Sequence, residues 1–555
     1  MSARAAAERG VGRPTAVGVA LGGLMLAVAI VLLVVGRDTT FFFDEWNFIL
    51  DRRGHAADVF LDGHNGHLSL LPVLAYKGLL ETVGLDHYWL YRSLLVVLHL
   101  ASGALVYALA RRRTAPWPAF LAAALVLVLG AAWDDLLWAF QIGFLGSVAA
   151  GLAMLLALDR ESGRGDALAA VALGASLACS GLGAAFAVAA VTELAVGRRW
   201  RRLAIVCGPP LVLYGLWTLG YGGSDLRLSN VGDAPAFMVK MASAAAGGLA
   251  GVGSDFGRAL AAIAAIALVW WLSRRPLSAR GWGLLAGLVG YWALTALSRA
   301  HLGEPEAPRY IYLGGVLIVL LALELTGPRL PARGRALIVA AALVGFAAVG
   351  NLGTLEGGGR GLRDTADGLR AELAAFELVQ DGVPAELQFT PLRAPQIRAG
   401  AYLAAVEDYG SPALTPAELA AAGPAERQAA DDVLRRVVPV APAAGAFAAA
   451  GSPPTPVAAA GASATPVGAC LRMAPERSGA TVDVGLPPTG LGVSASSAAP
   501  AELRVRRFGD GFPAEAQASV PAGGSATLRL PADDAGTPWV VRLTGSGPLR
   551  ACGLG

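Results

Sequence analysis

The fold of this chain is decided first by residues 14–36, which read PTAVGVALGGLMLAVAIVLLVVG and carry no charged side chain. An uncharged apolar run of about 20 residues is long enough to cross a bilayer as a helix. No convincing small-residue cleavage site follows, which favours a retained span over a signal peptide. Hydrophobic residues make up 55% of the 555 residues and charged residues 15%, against roughly a quarter charged in soluble domains. The sequence therefore predicts an integral membrane protein, and a net charge of +3 gives no reason to expect a nucleic-acid partner.

Arginine clusters predict the topology, because cytoplasmic loops of membrane proteins are enriched in Lys and Arg. Arg4, Arg9 and Arg13 precede the first span and predict a cytoplasmic N-terminus. Later clusters separate the remaining apolar runs, and together they predict about eleven membrane segments with the C-terminus outside. The later runs lie at about 90–110, 117–132, 138–158, 167–197, 203–220, 257–273, 281–297, 310–327 and 335–351.

Residues 167–197 are the exception to this alternation, because both of their flanks carry arginines. Two short helices that meet near Ser180-Gly181-Leu182-Gly183 would restore it, since glycine tolerates the required turn. Irregular backbone at membrane depth must be buried in protein or line a wet cavity. We therefore expect a short hairpin that does not fully cross, with one long tilted helix as the alternative.

The composition of the chain changes after residue 351, and we expect everything beyond it to be extracytoplasmic. The predicted domains are a transmembrane domain (1–351), a helical region (352–440), a Pro/Ala-rich linker (441–466) and a small β-sandwich (467–555). Asp364-Thr365-Ala366-Asp367 is expected to cap one helix, and Thr415-Pro416-Ala417-Glu418 resembles an N-cap followed by proline at the first helical position. Alternating runs at 480–484, 503–508, 525–530 and 539–543 predict strands.

The cysteines follow the same division of the chain. Cys179 and Cys207 lie in predicted membrane helices, where a small buried apolar role is expected. Cys470 and Cys552 bracket the predicted β-sandwich, on the side of the membrane where disulfides persist. A bridge between them is predicted to stabilise the domain by roughly 4 kcal/mol in the chain-entropy account.

Polar residues gather in the segments that the topology places outside. The first external segment, residues 37–91, opens with Phe41-Phe42-Phe43-Asp44-Glu45-Trp46 and also contains His64 and His67. Asp134-Asp135 lies between two spans, and a late loop carries Arg299, Arg309 and Tyr310. Adjacent carboxylates beside aromatic rings at a membrane surface suit a general base that acts on a substrate whose tail stays in lipid.

This arrangement resembles the GT-C class of membrane glycosyltransferases, which includes relatives of protein O-mannosyltransferases and of lipid A sugar transferases. The resemblance covers roughly residues 15–351 and is architectural. It implies a GT-C-like helical bundle and a polyprenyl-phosphate-linked sugar donor, with a glycan, lipid or protein as the acceptor. An acidic residue of the first loop supports catalysis in that class, a role that would fall on Asp44 or Glu45. Asp134-Asp135 resembles the second acidic site of some members.

The chemistry of an inverting transfer assigns roles to these residues. One carboxylate takes the proton of the acceptor hydroxyl, for which we favour Asp44 with Glu45 as its neighbour. Cations stabilise the leaving lipid phosphate, and a guanidinium suits this because it binds phosphate oxygens bidentately. The candidate phosphate contacts are Arg92, Arg299 and Arg309, and the candidate stacking rings include Trp46 and Tyr310.

His64 and His67 are predicted to shape a loop at the acceptor site rather than to bind a metal, because Gly63 and Gly66 disfavour a helix and no third ligand is evident. No cofactor is predicted with certainty, although a divalent cation is possible. His99 lies inside a span and is expected to make a helix–helix hydrogen bond.

Each of these assignments has a structural alternative. Asp44-Glu45 could cap the following helix, Asp134-Asp135 could form a tight turn, and the arginines could pair with acidic neighbours or anchor lipid headgroups. Tryptophans at interfacial depth form aromatic belts without any ligand.

The sequence as a whole predicts an enzyme of the bacterial plasma membrane, and it leaves two alternative functions. One is a transporter or flippase for a lipid-linked sugar, although the span interiors are almost free of ionisable groups. The other is a non-catalytic protein of cell-envelope assembly.

Overall fold

The structure, a computed structural model, describes residues 16–223, 225–438, 440–443, 447–487, 490–495, 499–529 and 536–554. The chain divides into two compact units. The helical unit comprises Met1–Thr39, Asp51–Val83 and His87–Arg363, and the C-terminal unit comprises Thr40–Leu50, Gly84–Asp86 and Asp364–Gly555. Arg4, Arg9 and Arg13, on which the predicted position of the N-terminus rests, lie outside the described residues.

Helices make up most of the first 377 residues. All of them belong to the helical unit except α2, which lies in the C-terminal unit, and the last part of α16. In chain order they are α1 (Ala16–Val35), α2 (Glu45–Leu50), α3 (Ala57–Leu61), α4 (Leu70–Val83), α5 (Tyr88–Arg111), α6 (Pro116–Leu127), α7 (Trp133–Leu137), α8 (Ile142–Leu158), α9 (Gly163–Cys179), α10 (Gly183–Val196), α11 (Trp200–Gly220), α12 (Ala234–Ala250), α13 (Ser254–Leu272), α14 (Ala279–Arg299), α15 (Ile311–Thr326) and α16 (Arg335–Glu377).

Within the described residues, 9 helical segments are long and apolar enough to cross a membrane. Together with α9 and α10 they account for the predicted set of membrane segments. The prediction of a mainly α-helical, multi-pass membrane protein followed by β-structure is therefore confirmed. The segments are Ala16–Val35, Tyr88–Arg111, Pro116–Leu137, Ala139–Leu158, Trp200–Gly220, Ser254–Leu272, Ala279–Leu302, Pro308–Thr326 and Arg335–Glu377.

The break predicted near Ser180-Gly181 is present between α9 and α10. Helix α9 ends at Cys179, and Ser180 is extended with φ −168° before α10 begins at Gly183. A Cβ at Gly183 would lie 2.6 Å from the backbone nitrogen of Leu177, so this turn requires glycine. One continuous tilted helix, the alternative interpretation, does not form.

Helix α12 was not predicted from the sequence. Lys240 and a run of small residues interrupt its apolar pattern, so periodicity gave no span there. Both of its ends pack at the same end of the helical unit. Asn230, just before α12, donates to the Leu297 carbonyl oxygen near the end of α14 at 2.8 Å, whereas Gly248 packs against Ile311 at the start of α15. Helix α12 therefore lies across that end rather than spanning the unit.

The boundary predicted at residue 351 falls inside α16, a continuous helix of 43 residues. Asp364 and the three residues after it therefore do not cap a new helix. Two glycines of this helix are points of close packing, because a Cβ at Gly358 would lie 2.2 Å from the Trp133 ring and a Cβ at Gly359 2.6 Å from Val35. Small residues let membrane helices approach closely, and this packing offsets the low helix propensity of glycine.

The C-terminal unit combines short helices with two antiparallel sheets. Its helices beyond α16 are α17 (Ala399–Tyr409), α18 (Pro416–Ala421) and α19 (Pro424–Val437). The predicted capping of α18 is present, because Thr415 and Glu418 form a capping box. The strands are β1 (Val440–Ala443), β2 (Thr455–Ala460), β3 (Ala462–Val467), β4 (Cys470–Pro475), β5 (Ala480–Gly485), β6 (Leu491–Ala495), β7 (Ala501–Arg506), β8 (Ala518–Val520), β9 (Ser525–Leu528), β10 (Val540–Gly545) and β11 (Leu549–Gly553).

The sheets have the strand orders β1-β9-β6-β11-β4-β3 and β2-β5-β10-β7-β8. The predicted disulfide is present, since Cys470 in β4 lies opposite Cys552 in β11 and the two are bonded. Residues 441–466, predicted as a linker, carry β2 and most of β1 and β3, because their small Ala and Thr side chains pair as edge strands despite the prolines. Leu530, at the end of one predicted strand, lies outside the described residues.

A buried carboxylate joins α19 to the β-sandwich within the C-terminal unit. Asp431 is 1% exposed, and its two oxygens accept hydrogen bonds from the backbone N–H groups of Arg507, Phe508 and Gly509 at 2.9–3.1 Å. Several N–H donors compensate the cost of burying a charge. The helical region and the sheets therefore form one folded body rather than two domains on a linker.

Candidate functional site

The acidic motif Asp44-Glu45 lies in the C-terminal unit, at the start of α2. Glu45 is fully buried, and its Oε2 accepts a hydrogen bond from the Phe42 backbone N–H at 2.7 Å. The bond spans three positions, as does the bond from the Thr415 N–H to Glu418 at α18, so a structural role at the start of α2 also describes Glu45. Phe43 turns the chain with φ +46°, a left-handed conformation that costs a residue with a side chain roughly 1–2 kcal/mol. The local fold holds Glu45 in place and leaves Asp44 half-buried, with the better access to a ligand.

Trp46 belongs to the core of the C-terminal unit. Its side chain is fully buried and packs edge-on against Phe41 and at a tilt against Tyr402, with both pairs of ring centroids 6.0 Å apart. A ring enclosed in this way offers no face for stacking on a sugar. The structure therefore gives Trp46 a packing role in place of the predicted substrate contact.

The second acidic pair, Asp134-Asp135, is buried in the helical unit within the first turn of α7. Asp134 accepts a hydrogen bond from Arg309 at 3.5 Å, and Arg309 also donates to Glu304 at 3.3 Å. The N-cap position of α7 is occupied by Ala132, so neither aspartate is the N-cap. The tight exposed turn that was the alternative interpretation does not form.

Asp135 differs from the other acidic residues discussed so far. Its side chain is buried, and neither of its carboxylate oxygens has a hydrogen-bond partner. The charged groups that interact electrostatically with Asp135 are Asp134 and Arg309. The hydroxyl groups of Tyr291 and Tyr312 are also close enough to interact with it electrostatically. Buried polar groups are almost always hydrogen-bonded, so an unsatisfied carboxylate calls for an explanation such as a ligand or a catalytic role.

The three arginines predicted as phosphate contacts have protein partners. Arg92 is 2% exposed and donates to the carbonyl oxygens of Leu137 at 3.3 Å and Leu32 at 2.5 Å. Leu137 is the last residue of α7, and the Leu32 carbonyl oxygen also accepts from the Gly36 backbone N–H at 3.1 Å. Arg299 pairs with Asp225 at 3.1 Å. Pairing with acidic neighbours, the alternative interpretation, therefore describes Arg299 and Arg309 but not Arg92, and Arg309 has the longest contacts of the set.

His64 and His67 face each other across a tight hairpin rather than along a helix. The backbone N–H of each donates to the carbonyl oxygen of the other, at 3.0 and 3.2 Å. Asn65 and Gly66 both have positive φ, as the Asn-Gly pair of a type I′ turn requires. Burial lowers the pKa of His67 to about 4, which keeps the ring neutral near pH 7. The part of the chain that the structure describes contains no group of three or more His, Cys, Asp or Glu placed to hold a metal.

A polar cavity of about 350 Å³ lies in the helical unit beside the break between α9 and α10. The irregular backbone of the break lines it, as expected for a break at membrane depth. The hairpin of His67 lines it as well, and so do four aromatic rings of α11, α14 and the turn before α15. The lining residues include Asn65, Gly66, His67, Ser180, Gly181, Leu182, Tyr214, Trp217, Asp225, Tyr291, Thr295, Ser298, Arg299 and Tyr310.

Several of these residues were missed from the sequence. Trp217 donates its indole N–H to the Leu61 carbonyl oxygen at 2.7 Å, and Tyr291 donates to the Tyr310 carbonyl oxygen at 3.0 Å. Each is an aromatic ring with a polar group inside an otherwise apolar helix, which is the signal that could have found them. Asp225 lies in a loop and gave no such signal.

The cavity adjoins the acidic pair through two of its tyrosines. Tyr291 is an electrostatic neighbour of Asp135, and Tyr310 follows Arg309, the partner of Asp134. The structure therefore gathers His67, Arg299, Arg309, Tyr310 and the acidic pair at one end of the helical unit, which we call the polar end. Asp44, Glu45 and Trp46 lie together in the C-terminal unit.

A second, apolar cavity of about 710 Å³ lies between the membrane-crossing helices of the helical unit. Its walls come from α6, α12, α13, α15 and α16, and they are almost wholly hydrocarbon. Helix α15 and the turn before it border both cavities. Val319 and Leu323 line the apolar cavity, and Tyr310, just before the helix, lines the polar one. The apolar cavity has the composition that suits a lipid chain.

Comparison with known proteins gives two distant structural likenesses. No family model and no curated protein matches the sequence. The structure of ArnT from Cupriavidus metallidurans bound to undecaprenyl phosphate is similar with 16% identity and a TM-score of 0.42, over 66% of this chain and 81% of that chain. The arabinosyltransferase EmbB from Mycobacterium smegmatis is similar with 12% identity and a TM-score of 0.34, over 96% of this chain and 64% of that chain.

Both proteins are polytopic membrane glycosyltransferases of the GT-C class, which is the class that the sequence resembles. With both TM-scores below 0.5, neither likeness carries an argument about the reaction, the substrates or the site residues of this chain.

Proposed function

We propose that the protein is a membrane glycosyltransferase that moves a sugar from a polyprenyl-phosphate donor to an extracytoplasmic glycan, lipid or protein acceptor. The observation that carries this proposal is Asp135, a carboxylate that is 1% exposed and has no hydrogen-bond partner, next to the walls of a polar cavity. Perturbed carboxylates beside clefts are candidates for acid–base chemistry. A membrane bundle with such a group at one end suits a reaction on a lipid-linked polar substrate.

The two cavities support an amphipathic donor. An isoprenoid chain fits the apolar cavity, whose lining is hydrocarbon, and the sugar end fits the polar one. Arg309 is the favoured phosphate contact, because its pairs with Asp134 and Glu304 are long and its side chain is 29% exposed. A phosphate oxygen would form shorter, charge-assisted bonds with the same guanidinium. Arg92 is excluded from this role by its burial between two helix ends.

In the proposed reaction, the acceptor oxygen attacks the anomeric carbon while the bond from that carbon to the phosphate oxygen breaks. The electron pair of that bond leaves with the lipid phosphate, whose charge the guanidinium stabilises. Asp44 takes the proton of the acceptor hydroxyl as general base. Glu45, held by the Phe42 N–H, is the neighbour of this base and a candidate contact for the acceptor. Attack opposite the leaving group inverts the anomeric carbon.

The proposed location is the bacterial plasma membrane, with the N-terminus in the cytoplasm and the C-terminal unit outside. The disulfide between Cys470 and Cys552 supports the outer location of that unit, because disulfides persist in oxidising compartments. Involvement of a divalent cation stays open to test by adding a chelator to the transfer assay.

A transporter is the weaker hypothesis, because coupled transporters place ionisable groups near the middle of the membrane. Glu193 and Glu324 lie near helix ends and are already paired with arginines at 2.5 and 2.6 Å. His99 hydrogen-bonds Tyr312 and the Leu127 carbonyl oxygen, which fits the helix–helix contact expected of it. None of these groups offers a coupling site.

The test is transfer of radiolabelled sugar from a panel of polyprenyl-phosphate donors in membranes that contain wild type, Asp44→Asn or Glu45→Gln. We expect loss of transfer in Asp44→Asn at wild-type expression, with a smaller loss in Glu45→Gln. Full activity in both variants would overturn the assignment of the base and shift it to the acidic pair of α7. No transfer by wild type from any donor of the panel would contradict the proposed enzyme.

A further inference from the structure

We propose that the polar cavity beside the α9–α10 break binds a single uncharged saccharide residue and that Asp225 selects against anionic ligands. The inference deepens the proposed function and rests on it only for the reaction in which the bound sugar takes part. The cavity volume of about 350 Å³ lies at the small end of the range for ligand sites, roughly 300–1,000 Å³. It has room for the polar end of a substrate and none for a long lipid chain as well.

The charges that line the cavity cancel. Arg299 is the cation among the lining residues and Asp225 the anion, and they form an ion pair at 3.1 Å. His67 adds no charge near neutral pH, since burial lowers its pKa to about 4. A phosphate, carboxylate or ammonium group would therefore enter without a free counter-charge. Burying an unpaired charge is costly, so the lining favours an uncharged ligand.

The uncharged groups of the lining match the two faces of a sugar ring. Tyr214 and Trp217 stand as neighbouring rings with centroids 5.2 Å apart and offer an apolar surface. The indole N–H of Trp217 is already bonded to Leu61, so this ring can contribute only apolar contact. Ser180, Thr295 and Ser298 bring hydroxyl groups to the same cavity. Aromatic faces combined with a few hydroxyl groups suit a ligand that is polar at its edges and apolar on its faces.

Arg299 also fixes the hairpin at the cavity. It donates to the Asn65 carbonyl oxygen at 3.3 Å as well as to Asp225. A Cβ on Gly66 would lie 2.7 Å from the Asp225 carboxyl carbon, so the hairpin tip and the loop of Asp225 touch. The ion pair therefore sets both the charge of the cavity and the position of one of its walls.

The experiment measures ligand-induced thermal stabilisation of the full chain in nanodiscs. The probes are methyl glycosides of neutral hexoses and pentoses, methyl glucuronide as the anionic analogue, and inorganic phosphate. Gly181→Leu fills the cavity, because a Cβ at Gly181 already lies 3.4 Å from His67. Gly208→Leu is the matched control, since the same side chain there enters open space on α11. Asp225→Asn removes the anion and leaves Arg299 unpaired.

We expect at least one neutral glycoside to stabilise wild type and Gly208→Leu, and to bind Gly181→Leu at least about tenfold more weakly. Methyl glucuronide is expected to stabilise only Asp225→Asn. Equal binding of glucuronide or phosphate to wild type, equal binding of neutral glycosides to Gly181→Leu, or no glycoside binding at all would overturn the proposal. A lipid that co-purifies with wild type and is missing only from Gly181→Leu would also overturn the proposal, because the cavity would then hold lipid rather than a sugar.

The binding assay separates this inference from the proposed function. Glycoside binding that follows the expected pattern in a protein with no transfer activity would support the cavity and reject the enzyme. Unchanged transfer in Gly181→Leu together with unchanged glycoside binding would support the enzyme and reject the cavity as the sugar site.

Discussion

The two ends of the helical unit treat buried charge in opposite ways. At the end formed by the last turns of α5, α8, α10 and α15 and the start of α14, which we call the ion-pair end, Arg280 binds Glu193 at 2.5 Å and Asp159 at 3.2 Å. Arg113 binds Glu324 there at 2.6 Å. At the polar end, Asp135 is 1% exposed and accepts no hydrogen bond. At the ion-pair end each carboxylate has an arginine partner, although one oxygen of Asp159 accepts no hydrogen bond, whereas at the polar end both oxygens of Asp135 lack one.

The difference between the two ends makes Asp135 the candidate functional residue of the helical unit. Buried ions are tolerated when partners compensate the loss of water, as the arginines do at the ion-pair end. The fold evidently can supply such partners, so their lack at Asp135 is not a general property of the bundle. A group kept at that cost is expected to act on something that is not part of the chain.

The largest expected effect is on stability, in Arg280→Ala. Removing this guanidinium leaves Glu193 without its ion-pair partner and Asp159 with only the longer pair to Arg113 at 3.7 Å. Breaking a buried ion pair costs about 3–5 kcal/mol. The measurement is the free energy of unfolding in nanodiscs or mild detergent. Arg258→Ala is the control, because Arg258 and its partner Asp255 are exposed and such pairs contribute about 0–1 kcal/mol. Equal effects of the two substitutions would remove the distinction between the ends.

A matched pair of substitutions sharpens the comparison. Asp159→Asn removes a charge that two arginines bind, so the free energy of unfolding should fall by about 1–3 kcal/mol. Asp135→Asn replaces a buried carboxyl group whose oxygens accept no hydrogen bond, so the free energy of unfolding should stay the same or rise. Thermal unfolding midpoints of both variants in the same nanodiscs decide the matter, and a large loss in Asp135→Asn would break the comparison.

The two substitutions should affect transfer activity in the opposite order, with the larger loss in Asp135→Asn. Because the proposal places Asp135 beside the sugar cavity, Asp135→Asn is expected to lower the transfer rate by about 10²-fold, the scale of one lost electrostatic contact in a reaction site. Asp159→Asn should keep the specific activity of the folded fraction, because Asp159 lies at the other end. Transfer assays normalised to folded protein test this, and wild-type activity in Asp135→Asn would leave its unpaired oxygens without a functional explanation.

The smallest effect concerns pH and His67. The pKa of its ring is lowered to about 4 in the fold from 6.5, so the unfolded chain takes up a proton between these values that the folded chain does not. This contribution to stability is present above pH 6.5 and is lost as the pH falls towards 4. His67→Gln should therefore show a weaker decrease of stability over that window. Identical pH profiles for wild type and variant would show that the polar end does not exclude charge at this residue.

Local signals predicted much of the fold. The uncharged run that became α1, the glycine-supported break after Cys179 and the capping box at Thr415 each depend on residues close in sequence. Cys470 and Cys552 could be paired because they bracket one predicted domain. Local chemistry also located Asp134-Asp135 and His67, although not their surroundings.

Other features depend on packing and could not be predicted. The change of composition after residue 351 suggested a domain boundary, yet α16 continues through it, and Gly358 gives Trp133 the space it needs. Trp46 was expected to stack on a substrate, but Tyr402, far away in sequence, encloses it in a core. Helix α12 has a weak apolar pattern because it lies across one end of the unit instead of spanning it.

The sequence by itself determined that this chain is a multi-pass helical membrane protein with a disulfide-bonded β-structure after it, because hydropathy is a local quantity and the two cysteines bracket a single predicted domain. The tertiary structure decided which charges are paired. Arg280 reaches Glu193 and Asp159 across 87 and 121 positions, Arg299 reaches Asp225 across 74, and Asp135 meets no donor. Pairing depends on which helix ends come together, and only the packed bundle brings residues so far apart in sequence within a few ångströms of each other.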